Sequence, residues 1–503
     1  MKKKILIIFG LAFLIRLINL NQSFWLDEAI VAKVVRTIPF HLIPVKFSPG
    51  DFHPPFYYMF MSIWGNIFGY SEIALRMPSI IMSLITGWMV YKIGLLITDK
   101  KIAFWAMLFF LFNPLIIYYS QESRMYMMST FFLTTTLFYF IDLIQNKDGK
   151  QVLKIKSQKS NVKSKSQKLK VYLFILFIGL SITTFYGSIF FIVALTACAL
   201  IRGKVKIALL IIVTVILSVL LLSPLLLQQL QTAKFGLIEV KNWSLVLGKA
   251  NIKNFLLIFI KFTSGRLSWS PKWIYYLVIG CWLLVVGFFV ILGMRKNKLL
   301  STLFALPLLF VFIVSFFLPM LQYFRYLYLI PVMSLLLAKG VEIFGNNIDL
   351  DSLHGEQVQG KPGLRGNDIL KFILSILKSN FTSIILFFYI IFSFVYLFNP
   401  SFHREDWKSL SHSLDLSKPV YMIIPSSDPI NYYRKNIVLK EIRLVSQIKQ
   451  MEKNIYVIPY VVEIYGLDYK KELINKGCIL LKQTSFRELL LEEWSCGYVA
   501  MVE

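Results

Sequence analysis

Apolar runs of membrane length recur along the chain as far as residue 399, and beyond it polar and apolar positions mix as in a soluble protein. A bilayer core about 30 Å thick needs about 20 apolar helical residues to cross it. Runs at 5–20, 73–98, 102–119, 125–145, 171–184, 189–201, 207–226, 273–294, 299–319, 326–339 and 373–398 read as eleven crossings. The first follows Lys2-Lys3-Lys4, and no small-residue cleavage site comes after it, so it reads as a retained helix with a cytoplasmic N-terminus. The stretch 56–70 is apolar and aromatic but broken by Gly65 and Gly69, and is expected to stay on the outer side as a surface helix.

Charge between the runs sets the orientation. Short basic segments collect on the cytoplasmic side of a membrane protein. Asp99-Lys100-Lys101, the lysine-rich loop 146–170, Arg202 with Lys204 and Lys206, and Arg295 with Lys296 and Lys298 all fall on one side of the count. The polar loop 340–372 falls on that side too. The first loop 21–54, Gln121–Arg124, the long segment 227–271 with Trp243 and Trp269, and the tail 400–503 fall on the other. Loop 146–170 nearly repeats Lys-Ser-Gln-Lys (156–159 and 165–168), which predicts a solvated tether.

Composition agrees with an integral, multi-pass membrane protein. The chain is 57% hydrophobic and only 16% charged, against about 25% in soluble domains. Its net charge of +27 does not point to nucleic acid, because the excess sits in the short loops: residues 146–170 hold nine lysines and one aspartate. The tail is nearly balanced, with strand-like runs at 420–424, 455–462 and 478–481. Ser485-Phe486-Arg487-Glu488 matches a capping box and predicts a helix over 488–493. The expected organisation is a membrane domain over 1–399 and a small extracytoplasmic α/β domain over 400–503. The four cysteines match no metal-site spacing, and pairing of Cys478 with Cys496 stays open.

Three polar features converge on the outer side. The first is the adjacent pair Asp27-Glu28, which follows Phe24-Trp25-Leu26; a carboxylate within hydrogen-bond reach of a hydroxyl can take its proton. The competing reading is two solvated charges at a helix end. The second is Arg76, Arg124 and Arg325. Arg124 and Arg325 sit beside Tyr126, Tyr323 and Tyr326 at outer ends of crossings, where arginine binds phosphate in two-pronged fashion or snorkels to lipid headgroups. Arg76 lies inside a crossing, where burying its charge demands a partner. The third is Asp51-Phe52-His53-Pro54-Pro55, two prolines opening a helix behind a histidine that either orients a ligand or makes an ordinary hydrogen bond.

Phe24–Ala29, His53-Pro54-Pro55-Phe56-Tyr57-Tyr58 and Phe68–Ser79 together resemble the N-terminal signature of GT-C membrane glycosyltransferases. The group they resemble is the dolichyl-phosphate-mannose-protein mannosyltransferase-like one: glycosyltransferase family 39 and its bacterial relatives, including lipid A aminoarabinose transferases. Ser120–Tyr126, Arg325–Pro331 and Arg404–Lys408 resemble its later motifs. The resemblance implies a polytopic α-helical fold with about eleven transmembrane helices and a small soluble α/β domain. It also implies an inverting transferase that moves a sugar, a hexose such as mannose, from a polyprenyl-phosphate donor to a glycan, lipid or protein acceptor.

In that group the first-loop aspartate, here Asp27, is the base, with Glu28 as its helper. Arg124, Arg325 and Arg76 would meet the donor phosphate, and His53, Glu122 and Tyr126 would contact substrate. Some relatives place a divalent cation near these carboxylates and others do not; this chain shows no dedicated ligand cluster. A polyprenyl-linked oligosaccharide polymerase or ligase, and a lipid-linked sugar flippase, are the rival readings. Against the flippase, hydropathy shows no inverted repeat and the polar residues gather on one face rather than at mid-membrane.

Overall fold

The computed structural model describes residues 2–145, 161–242, 247–347, 365–448 and 451–496. Every segment read as a crossing is helical. Seven helices among the described residues are long and apolar enough to span a bilayer: they cover Glu72–Ile97, Tyr126–Gln145, Gln167–Thr184, Val205–Gly236, Lys272–Lys296, Tyr323–Gly345 and Asn380–Phe398. Lys100–Leu111 and Pro114–Ser120 form a further apolar pair bent by 55°, a broken span or a re-entrant loop, and Tyr186–Ile201 and Lys298–Val314 are shorter apolar helices. The first crossing is the helix Lys2–Leu17.

The bend in this pair has a local cause. Pro114 cannot donate into the preceding turn, so a new helix starts there. The side chain of Asn113 caps it, accepting from the amides of Leu115 and Ile116 at 3.0 and 3.2 Å. The same side chain donates to the Phe262 carbonyl at 2.8 Å, fixing the break against the helix Ile252–Ser264. The bent pair thereby delivers the loop Gln121–Met125 into the interior, where Gln121, Glu122, Ser123 and Arg124 are all buried.

The segment between the first two apolar runs is itself structured. It holds the helix Leu26–Thr37 and the helix Phe56–Phe68, which ends at Gly69 with φ 89°. At 13 residues the second is about 20 Å long, too short to cross.

Several expectations are corrected. The helix Val205–Glu239 runs through Pro224 instead of ending near it, so the outer segment expected from 227 begins as helix. A helix tolerates proline in a membrane setting when neighbouring groups satisfy the freed carbonyl. A second helix, Ile252–Ser264, lies in the same segment, and Trp243 lies outside the described residues. The loop expected over 146–170 is helical from Asn161 onward, and the remainder lies outside the described residues. The loop expected over 340–372 is shortened from both ends by the helices Ile330–Asn347 and Arg365–Phe398.

The tail folds as an α/β unit around a five-stranded sheet in the order β2-β1-β3-β5-β4. The strands are β1 Val420–Met422, β2 Leu439–Glu441, β3 Asn454–Val457, β4 Ile479–Phe486 and β5 Leu489–Ser495. β1 pairs in parallel with β2 and β3, whereas β5 is antiparallel to β3 and β4. The helix expected over 488–493 is therefore β5, and Ser485–Glu488 closes a hairpin whose turn is Arg487-Glu488, with Glu488 at φ 55°. Cys478 and Cys496 form a disulfide across the open end of that hairpin.

Candidate active site

Asp27 and Glu28 occupy the first turn of the helix Leu26–Thr37, where the exposed backbone amides favour negative charge. Consecutive helical residues point about 100° apart, and the pair is split accordingly. Glu28 turns inward and is fully buried. Its Oε1 accepts from Arg76 Nε at 2.9 Å and from the Ser123 amide at 2.7 Å, and its Oε2 accepts from Arg76 Nη2 at 2.6 Å. Asp27 stays partly accessible; its Oδ2 lies 3.2 Å from Arg124 Nη2 and its side chain is 31% exposed.

Arg76 has the partner its position demands, but no N–H left over for a phosphate. Besides Glu28 it donates to the carbonyls of Leu20, Gln22 and Ser23 at 2.8, 2.7 and 3.1 Å. Those bonds use all five guanidinium hydrogens. The expected phosphate contact for Arg76 is corrected to a brace that ties the first outer loop to the span Glu72–Ile97. Glu28 is corrected likewise: both its oxygens are taken, so it holds the loop in shape and does not reach an acceptor.

Arg124 is the cation nearest Asp27. It also donates to the Tyr58 hydroxyl at 3.4 Å, and its Nε is buried without a partner. Behind it Asp51 lies 3.2 Å from His53 Nδ1. Burial raises the Asp51 carboxyl, but the charges of His53 and, further off, Arg124 outweigh it and hold the group below its ordinary value. The loop carrying both residues is clamped from the long helix: Gln229 Nε2 donates to the carbonyls of Ser48 and His53 at 2.8 and 3.0 Å. Thr232 Oγ1 donates to the Pro49 carbonyl at 3.0 Å.

Tyr126 is buried against Tyr119, Phe185 and Phe324, and the charges of Arg124, Asp27 and Arg325 all act on its phenol. Arg325 is half-buried at the margin, donating to the Leu247 carbonyl at 3.3 Å.

A second arginine centre, given no role from the sequence, sits on the other side of the 121–125 loop. Arg404 donates through Nε to Glu122 Oε1 at 2.9 Å and through Nη2 to the same oxygen. Its guanidinium lies 3.8 Å above the Trp25 ring. Arg266 bonds to the Tyr118 hydroxyl and lies close enough for the charge of Arg404 to act on it. Gly265, at φ 70° and packed on Pro114, gives Arg266 its approach, since a Cβ there would stand 3.0 Å from the proline ring. Two like charges share one carboxylate here, an arrangement that suits an anion. Burial raises the Glu122 carboxyl, with Arg404 pulling the other way. Glu122 therefore faces a guanidinium rather than open cavity.

Each of these carboxylates faces an arginine: Asp27 faces Arg124, Glu28 faces Arg76, and Glu122 faces Arg404. Among the described residues no three His, Cys, Asp or Glu side chains gather closely enough to hold a metal ion. The residues present do not make up a metal-binding set.

The soluble domain closes over this site. Tyr460 donates to Glu405 Oε1 at 3.1 Å. Burial, then the charges of Glu405 and Asp27, push its phenol well above its ordinary value.

Residues 52–155 match the family model described as dolichyl-phosphate-mannose-protein mannosyltransferase. Among solved structures, ArnT from Cupriavidus metallidurans in the apo state superposes with a TM-score of 0.52 at 12% identity, covering 97% of each chain. The same protein bound to undecaprenyl phosphate gives 0.51 at 13%, again covering 97% of each. The apo oligosaccharyltransferase of Archaeoglobus fulgidus gives 0.50 at 14%, covering 86% of this chain and 64% of that one. No curated protein matches by sequence. Identities this low speak for the fold, and the family model speaks for the segment that carries His53, Arg76, Glu122 and Arg124. The chain is therefore a polytopic membrane protein with the fold of these GT-C structures, and its segment 52–155 is similar to dolichyl-phosphate-mannose-protein mannosyltransferases.

Proposed function

We propose that the chain transfers a sugar, a hexose such as mannose, with inversion from a polyprenyl-phosphate carrier to an acceptor hydroxyl on the extracytoplasmic face. The observation that carries this reading is the partly exposed carboxylate of Asp27 facing Arg124, with a second arginine centre at Arg404. Among the described residues Arg124 Nε is buried without a partner, as are Glu122 Oε2, Trp25 Nε1 and the Tyr119 hydroxyl beside Arg404. Each unsatisfied buried group costs about 1–3 kcal/mol, a cost that a polar ligand supplying the missing bonds would offset.

Asp27 accepts the proton of the acceptor hydroxyl while that oxygen bonds to the anomeric carbon from the face opposite the phosphate. The bond from that carbon to the phosphate oxygen breaks, its electron pair leaves on the lipid phosphate, and Asp27 later passes its proton to water. Charge grows on the departing phosphate, so fixed cations aimed at it lower the barrier. Arg124 is the cation beside the base, and Arg266 with Arg404 form the second group; Arg325 lies close enough for its charge to act on Tyr126. The disulfide Cys478–Cys496 favours an oxidising compartment for the tail, hence the outer face. ArnT, whose chain superposes on this one over nearly its full length, binds undecaprenyl phosphate, which makes a lipid monophosphate the reference donor.

The direct test is purified protein with radiolabelled polyprenyl-phosphate mannose, scored for lipid-phosphate release. Release that persists in Asp27→Asn sinks the base assignment. The paired Arg266 and Arg404 also fit a second reading, in which the donor carries a diphosphate-linked oligosaccharide. Turnover with diphosphate donors and none with monophosphates would select it.

A further inference from the structure

The tail carries a cleft of about 810 Å³ between the loop Pro459–Lys470 and the β4–β5 turn. That size lies within the range of small-ligand sites, about 300–1,000 Å³. Its lining includes Tyr460, Glu463, Asp468, Lys470, Ser485 and Glu488. The carboxylates outnumber the single ammonium three to one. Those of Glu463 and Glu488 are exposed and make no hydrogen bond or ion pair with another described residue. Asp468 is partly committed, since it caps the helix Tyr469–Asn475.

One wall of this cleft is also a wall of the candidate active site. Tyr460 lines the cleft, donates to Glu405 Oε1, and carries the electrostatic imprint of Asp27. Glu405 follows Arg404 in the chain, and Arg404 grips Glu122. At the other wall the charges of Glu405, Arg266 and Arg404 act on Glu488. A chain lying in the cleft and passing Tyr460 would bring its end toward Asp27.

We propose that this cleft binds the acceptor, and that the acceptor is an uncharged or amine-bearing glycan. The chemistry is that of sugar recognition. Free carboxylates accept pairs of neighbouring sugar hydroxyls, and the half-buried rings of Tyr460 and Phe486 in the lining offer apolar surface for the C–H face of a pyranose. An acid-lined wall repels anionic polymers and lipid phosphates, which separates this site from the arginine-framed donor centre. The inference rests on the transferase reading for the meaning of "acceptor", but the binding itself does not.

The test uses the full chain in lipid nanodiscs. Mannotetraose, a chitosan tetramer, tetragalacturonate and an unstructured serine-rich peptide are titrated by saturation-transfer NMR in the absence of donor. Mannotetraose or the chitosan tetramer binds, and the pair Glu463→Ala and Glu488→Ala weakens that binding about tenfold. The same variant leaves slow lipid-phosphate release to water unchanged. A second arm places a single thiol at the cleft with Ser485→Cys. A bulky maleimide there blocks transfer to the glycan that binds, while release to water continues.

The proposal is overturned if only tetragalacturonate or the peptide binds, if no probe binds at millimolar concentration, or if the alanine pair or the maleimide changes nothing. Absent release with intact glycan binding would instead count against the transferase reading and leave the cleft standing as a glycan site.

Discussion

Asp27 and Glu28 are neighbours in the chain with opposite fates, and the difference is one step of helical rotation. Glu28 points into the protein and commits both oxygens to Arg76 and the Ser123 amide, while Asp27 stays partly exposed beside Arg124. The pair was legible as a pair from its place after the first crossing. Which member meets substrate was not, because that depends on where the helix starts. Removing a buried charge's only carboxylate partner costs about 3–5 kcal/mol. Glu28→Gln should therefore lower the melting temperature sharply while molecules still folded keep most of their turnover. Asp27→Asn should do the reverse, with unchanged melting and a rate loss of about 10²- to 10⁴-fold, the range of a general base. Equal melting losses in the two variants would erase the distinction.

Asp51 supplies a pH signature. His53 and Arg124 hold its carboxyl below the ordinary value of 3.8 despite burial. A depressed carboxyl stabilises the fold above its unfolded value, and that stabilisation is lost as the pH falls through the folded one. Wild type should therefore melt above Asp51→Asn at neutral pH, and the two curves should converge as the pH drops below 3.8. A gap that stays constant on acidification would rule this coupling out.

At the scale of elements, the helix Val205–Glu239 shows what local signals miss. Pro224 reads as a stop because proline withholds one amide, yet the helix continues for four more turns. What that extension holds is non-local: Gln229 reaches the carbonyls of Ser48 and His53, and Thr232 reaches that of Pro49. Gln229→Leu keeps the helix and removes two donors from a buried loop, at about 1–3 kcal/mol for each carbonyl left unpaired. The Asp51–His53 loop should then loosen, seen as faster backbone exchange there and a raised KM for donor. Unchanged exchange over residues 48–53 would show that the clamp is idle.

The hairpin makes the same point from the other side. Ser485–Glu488 matches a capping box, and a helix was a fair expectation over 488–493. The strand wins through partners distant in sequence. β5 pairs with both β4 and β3, and Leu489, Leu491 and Trp494 are buried by it. Buried Glu492 is satisfied by Tyr469 and Trp494. Membrane helices, by contrast, satisfy their backbone within the segment, which is why the helices of the apolar runs were readable from hydropathy while the tail's strands were readable only in part.

At the scale of the molecule, the site exists only where the soluble domain meets the membrane domain. The Tyr433 hydroxyl accepts from the Phe24 amide at 2.7 Å and donates to Glu72 at 3.0 Å, so one phenol ties the tail to both ends of the segment between the first two apolar runs. Lys33 pairs with Asp428 at 2.7 Å, but Lys33 is 61% exposed, and such pairs contribute about 0–1 kcal/mol. The phenol is the stronger tie, since its loss leaves the Phe24 amide unpaired and Glu72 with only Lys408, 3.4 Å away. None of this was visible in the sequence, where Tyr433 is one of 25 tyrosines.

Tyr433→Phe should therefore release the tail without unfolding either part. Limited proteolysis after residue 399 should quicken, and Arg404, carried on the released segment, should leave Glu122, so that lipid-phosphate release falls with the membrane domain still intact. Lys33→Ala should change neither readout. If the two variants behave alike, docking is held by the broad apolar contact of Phe24 with Tyr432 and its neighbours rather than by the hydrogen-bonded phenol.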